Sequence, residues 1–173
     1  MSLSFTVAER GRHIPVTREQ LTLYSGPSQI IATALMFRLF RRAITDLSPE
    51  TPPERTAFST LVAFPGPGIL DCIEYVTRAR THGPDRLIID TEAGPEDAPR
   101  APKGRFYFEL EINGRRRAYW PAPGLFDETF LEMVRRYQPG ENTPAEEAAY
   151  QQFKQQMVGK LLGAPGPELF RSA

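Results

Sequence analysis

The sequence predicts an α+β fold, a mixed β-sheet covered by helices on one face, with elements in the order α-β-α-β-β-β-α-α. Three observations carry this. Residues 57–64 alternate with a period of two, Phe58, Thr60, Val62 and Phe64 against the smaller Ala57, Ser59, Leu61 and Ala63. Phe106, Phe108, Leu110 and Ile112 alternate in the same way up to Asn113-Gly114, a pair selected by two-residue hairpin turns because both positions need positive φ. Residues 30–40 are instead apolar on most sides of a helix (Ile30, Ile31, Ala34, Leu35, Met36, Phe37, Leu39, Phe40), as in a helix enclosed by other elements. Strands that mix with helices in this order build a layered domain.

The chain has 173 residues, enough to close one substantial core. A single domain is expected over residues 1–163, with 1–23 as an N-terminal extension and 140–163 as a polar C-terminal helix. Residues 164–173 read as a frayed tail. Seventeen prolines and thirteen glycines gather at element boundaries and so mark where elements stop.

From the N-terminus, Phe5-Thr6-Val7 and His13-Ile14-Pro15-Val16 flank Glu9-Arg10-Gly11-Arg12 as a short hairpin, which Pro15 restricts to an edge. Thr17-Arg18-Glu19-Gln20 is a capping box, opening a short helix that Ser25-Gly26-Pro27 stops. The enclosed helix follows over 28–43, with Arg38, Arg41 and Arg42 in its last turn, where positive charge meets free carbonyls; the trio reads as a solvated helix end or as a phosphate clamp. The strand at 57–64 runs into a helix opened by Pro67 or Gly68, with Ile69, Leu70, Ile73, Val76 and Thr77 inward and Asp71 and Glu74 near its positive end. Gly83-Pro84 ends that helix, and residues 86–90 form a short apolar strand. Residues 91–103 read as a mobile surface loop. The Asn113-Gly114 turn sets Ile112 opposite Arg115, Glu111 opposite Arg116 and Phe108 opposite Tyr119. Residues 125–137 form an amphipathic helix through Phe126, Phe130, Met133, Val134 and Tyr137. Thr143-Pro144-Ala145-Glu146 is a second capping box, opening a polar helix whose narrow stripe is Tyr150, Phe153, Met157 and Leu161; it lies on the domain surface or crosses to a second protomer.

Charge and cysteine usage exclude whole classes of partner. Lys plus Arg equals Asp plus Glu at 21 each, so no net field favours nucleic acid or an anionic membrane. The single Cys72 with His13 and His82 gives neither a disulfide framework nor a zinc cluster, which points to a reducing, cytoplasmic setting. The longest apolar stretch, 30–40, is interrupted by Thr33 and Arg38, and no membrane span is expected. Cys72 reads as a buried inert thiol or a nucleophile, and His82 as a helix-end cap or a base.

Two helix starts of similar build, Tyr24-Ser25-Gly26-Pro27-Ser28-Gln29 and Phe64-Pro65-Gly66-Pro67-Gly68-Ile69, are expected to face one place. Each helix start offers up to four free backbone N–H groups and a positive dipole end, which suits an anion. Gly26, Gly66 and Gly68 would allow close approach of a ligand, and Tyr24, Ser25, Ser28, Gln29 and Asp71 complete the candidate lining. The Gly-Lys-Ser/Thr ending of a nucleotide-binding phosphate loop is missing after Gly26-Pro27-Ser28.

These residues have a precedent. The helix opening at Tyr24-Ser25-Gly26, the strand Leu61-Val62-Ala63-Phe64 leading to Gly68-Ile69-Leu70-Asp71, the strand after Gly83 and the Asn113-Gly114 hairpin before Thr-Pro-Ala-Glu resemble the FmdE-like family of formylmethanofuran dehydrogenase components. The likeness lies in element order and loop placement over 20–163. It implies a fold similar to the C-terminal domain of glyceraldehyde-3-phosphate dehydrogenase, and a homodimer. Family members open the first helix with Gly-His-x-Cys-Pro-Gly and the second with Cys-Pro-x-Asp, and these residues bind a metal. Here the histidine position falls on Pro27, the cysteine position on Gln29 or Ile30, and only Asp71 survives of the second signature, so no metal or other cofactor is expected. The family's C-terminal zinc module is missing as well. The resulting expectation is a small anionic ligand bound between the helix starts. The alternative is a non-catalytic dimeric accessory protein, in which side chains fill that space. A metal-dependent or methanofuran-related redox enzyme follows from the resemblance alone.

Overall fold

In the computed structural model, which describes residues 3–173, a five-stranded mixed sheet carries helices on one face. Its strands are β3 (Phe58–Val62), β4 (Leu87–Ile89), β5 (Phe108–Ile112), β6 (Arg115–Pro121) and β7 (Phe170–Ser172), in the spatial order β4-β3-β5-β6-β7. β3 and β4 are parallel and the other pairs antiparallel. Phe58, Thr60 and Val62 face the core beside Ile112, Leu110 and Phe108, whereas Ser59 and Leu61 lie on the opposite, partly open face beside Glu111 and Glu109. On that open face Arg116 bridges Glu109 and Glu111 at 3.4 and 3.3 Å. The hairpin register is the one the Asn113-Gly114 turn dictates: Ile112 meets Arg115, Glu111 meets Arg116 and Phe108 meets Tyr119.

A separate two-stranded hairpin, β1 (Ser4–Glu9) and β2 (Arg12–Thr17), precedes α1 (Arg18–Ser25), which opens with the Thr17–Gln20 capping box. Within the expected N-terminal extension, residues 3–23 are more than an extension: Phe5, Val7, Val16 and Leu21 join the core, with Phe5 against the rings of Phe37 and Phe40. The central helix α2 (Ile30–Leu47) begins after a 3-10 turn at Pro27–Gln29 and buries nearly every side.

Four expectations are corrected by packing. First, α2 runs past residue 43 to Leu47, so Arg38, Arg41 and Arg42 are not in its last turn. Arg42 pairs with Asp46 one turn on, and Arg38 leaves its own helix to donate to the Leu161, Leu162 and Ala164 carbonyls at 2.7, 2.9 and 2.6 Å. These carbonyls belong to the C-terminal end of α6 (Pro144–Gly163), which lies along α2 of the same chain. A guanidinium fits there because its fork of N–H groups reaches several orphan carbonyls at once. Arg38→Ala is expected to lower stability by about 2–3 kcal/mol in urea unfolding, with Arg38→Lys recovering only part of it.

Second, residues 164–173 are no frayed tail. A short helix, α7 (Gly166–Leu169), returns the chain so that β7 pairs with β6, and Leu169 and Phe170 are buried. The expected element order therefore gains the β1-β2 hairpin and α1 at the front, a short helix at Ala79–His82, and α7 with β7 at the end. Third, residues 91–103 are tied down: Arg105 donates to the Ala98 carbonyl at 2.8 Å, Arg171 pairs with Asp97, and Ala98 and Ala101 are buried. Fourth, α3 (Pro67–Thr77) stops at Arg78, whose φ of 56° is left-handed, and a short turn α4 (Ala79–His82) follows before Gly83.

Glu74 belongs to that junction, not to the start of α3. Its buried carboxylate accepts from the Arg80 and Thr81 amides and from the Thr81 hydroxyl, capping α4. The amphipathic helix α5 (Glu128–Tyr137) starts at the Asp127 cap rather than at Leu125. No described helix is long and apolar enough to cross a membrane.

Candidate functional site

The two helix starts do meet. Phe64-Pro65-Gly66 carries the chain out of β3 and into α3, and Gly26 at φ 89° carries it from α1 into the turn before α2. They approach so closely that a Cβ on Gly68 would stand 2.7 Å from Gln29 Oε1 and 2.8 Å from Ala32 Cβ. Glycine is required at that contact for lack of space, since Ala32 sits on a rigid helix. Gly68→Ala is expected to cost about 1–3 kcal/mol by wedging α2 from α3. Gly159→Ala, at an open position of α6, should be neutral or stabilise by about 0.5–1 kcal/mol in the same urea titration.

A cavity of about 250 Å³ opens beside this contact. Ser28, Gln29, Gly66 and Gly68 of the expected residues line it. Tyr24, Ser25, Gly26 and Asp71 do not. Tyr24 is half exposed and sets its ring edge-on to Tyr75, 5.5 Å between centroids. Ser25 Oγ is buried with no partner in hydrogen-bond geometry. Asp71 lies 3.6 Å from Arg80. The anion site made of backbone donors is also poorer than two free helix ends would give. Pro27 and Pro67 have no N–H, and the Gln29 amide already donates to the Gly26 carbonyl.

Most of the lining comes from elsewhere. Ile31, Ala32 and Leu35 of α2, Ile69 of α3, Phe106, and Phe130 and Val134 of α5 make an apolar wall. Phe106 is the centre of an aromatic cluster, 4.2 Å from the Phe126 ring and 5.3 Å from that of Phe64. α6 adds Glu147, Tyr150, Gln151 and Lys154. A second hollow lined by Arg100, Arg135 and Leu131 adjoins the first through Pro102, Val134 and Gln138, which border both.

Lys154 is the side chain that sequence reasoning missed. It is 4% exposed, and among the described residues no carboxylate lies within ion-pairing distance of its Nζ; its partner is the Tyr150 ring, 4.8 Å from Nζ to the centroid. Burial holds the ammonium below its ordinary pKa, with the Glu147 charge pulling the other way. Glu147 is kept as a carboxylate, below its ordinary range, by the Gln151 and Asn142 amides, which donate at 2.6 and 2.8 Å. Burial, then Glu147, raises the Tyr150 phenol. A signal was available: Lys154 falls four residues after Tyr150 and three before Met157, inside the apolar stripe of α6.

Cys72 is fully buried, and that burial pushes its thiol up to about 12, although the nearby Ser25 hydroxyl acts in the opposite sense. A thiol so protonated is no nucleophile at neutral pH. His82 is exposed at the end of α4. Among the described residues no group of three or more His, Cys, Asp or Glu side chains is placed to hold a metal ion. Compared with known proteins, the chain matches no family model and no curated protein.

Proposed function

We propose that the protein binds a small, mainly apolar molecule carrying one oxygen-bearing polar group, in the cavity between the starts of α2 and α3. The observation that carries this reading is Lys154, a buried lysine without an acidic partner, lining an otherwise mostly apolar space. A buried charge is costly unless something compensates it, and a ligand oxygen is the compensation the cavity admits. At about 250 Å³ the space falls below the roughly 300–1,000 Å³ of drug-sized sites, which selects a one-ring or short branched ligand.

This keeps the location expected from the resemblance to the FmdE-like family and replaces its metal ligands by a lysine from a third helix. The open cavity favours ligand binding over an accessory role, in which side chains would fill that space. Thermal shift against benzoate, benzaldehyde, short branched ketones and inorganic phosphate tests the reading. Probes with an apolar body should stabilise the protein, and phosphate should not. Stabilisation by phosphate alone would return the site to the helix-start amides, and no shift with any probe would reject a ligand site here.

A further inference from the structure

The chain has three lysines, and they stand in different surroundings. Lys103 and Lys160 are exposed, whereas Lys154 is enclosed and faces the cavity. We infer that Lys154 is a nucleophilic amine and that the cavity takes a small apolar aldehyde or ketone, held as an imine on its Nζ. The inference rests on the ligand site proposed above and names its chemical class.

The choice of residue is the first reason. A permanent anion is matched by arginine, which keeps its charge and offers a planar fork, whereas lysine in apolar surroundings is the cation that can discharge to an amine. The burial that lowers its pKa raises the share of free amine at any given pH. Second, a negative charge that favours a cation at Nζ stands on the same wall. Glu147 lies two turns before Lys154 on α6, lines the same cavity and is held ionised by Gln151 and Asn142. Third, the Tyr150 ring under Nζ favours a cation there, so it suits a protonated imine as it suits the ammonium.

The step balances without an oxidant or reductant. The ammonium first gives up one proton to solvent water, and the freed nitrogen pair forms a C–N bond to the carbonyl carbon. The carbonyl π pair moves to oxygen, which is protonated, giving a carbinolamine. That oxygen, protonated first by transfer from the attacking nitrogen, then takes back one proton from solvent and leaves as water as the C–O bond breaks and the nitrogen pair forms the C=N bond, leaving a protonated imine. The apolar wall of Leu35, Phe64, Ile69 and Phe106 limits the return of water to the C=N bond.

The test treats the full chain with benzaldehyde and cyanoborohydride, then locates the reduced adduct by peptide mass mapping. Lys103 and Lys160 serve as internal controls. One adduct is expected, on Lys154, in at least about tenfold excess over either control under limiting probe. Benzoate, which cannot form an imine, should protect Lys154 from labelling. Lys154→Arg keeps the charge and should lose the adduct; its folding is checked by circular dichroism, and the wild-type map stands without it. Labelling spread evenly over the three lysines overturns the inference. If benzoate or benzaldehyde still stabilises the protein in that case, the ligand site survives and only the covalent step fails. If neither stabilises it, both fail.

Discussion

Lys154→Met is expected to raise stability while abolishing stabilisation by cavity ligands. Methionine keeps the length and apolar stem of lysine, so the packing of Tyr150, Met157 and Leu161 along α6 is retained while a buried unpaired charge is removed. The gain should be about 1–2 kcal/mol, a rise of roughly 3–6 °C for a domain of this size. It should also depend on pH in one direction. The folded state holds the ammonium below its ordinary value of 10.5, so the unfolded chain binds more protons between the two values. Wild-type stability then rises with pH across that window and is lowest below the folded pKa, where the variant's advantage is greatest. Above 10.5 the advantage should vanish. A variant that is less stable than wild type at neutral pH and still responds to the same ligands would remove Lys154 from the site.

Glu74→Ala carries the largest expected loss, about 3 kcal/mol, or a fall of roughly 6–12 °C in melting temperature. The substitution strips the cap from the Arg80 and Thr81 amides and leaves the Thr81 hydroxyl without its acceptor, at a junction only 3% exposed on the Glu74 side. Burial by itself would raise the Glu74 pKa, but the Thr81 hydroxyl and the two amides outweigh it and hold it below the ordinary 4.5. The stabilisation is therefore complete above pH 4.5 and is lost as pH falls through the folded value. Glu74→Gln should remove that acid-side slope while losing less stability at neutral pH. Urea midpoints from acid to neutral pH separate the two variants, and an unchanged acid slope in Glu74→Gln would contradict the assignment.

Residue order by itself determined the α+β class, which is read from the periodicity of single elements, and the Asn113-Gly114 register and the two capping boxes, which rest on contacts within a few residues. The alternation at 57–64 fixed which face of β3 is buried. The similar build of the two junctions brought the helix starts into view as one place, and the structure made Gly68 their point of contact. The same local signals misled where a distant partner decides the outcome. Arg38 looked like a helix-end charge until α6 brought its carbonyls alongside, and Glu74 looked like a helix-start acid until the chain turned back at Arg78. Residues 170–172 are too few to read as a strand, and only the free edge of β6 makes them one.

For the site, sequence supplied four lining residues, Ser28, Gln29, Gly66 and Gly68, and the tertiary structure supplied the buried cation that lines it, Lys154. The helix starts offer fewer free amides than two such ends would, because Pro27 and Pro67 carry no N–H and the Gln29 amide is taken by the Gly26 carbonyl. Lys154 lies more than eighty residues further along the chain than either start. A lysine in an apolar stripe reads from sequence as one more solvated cation. Its burial and its place in the cavity exist only because α6 packs along α2, and that is a decision of the folded core.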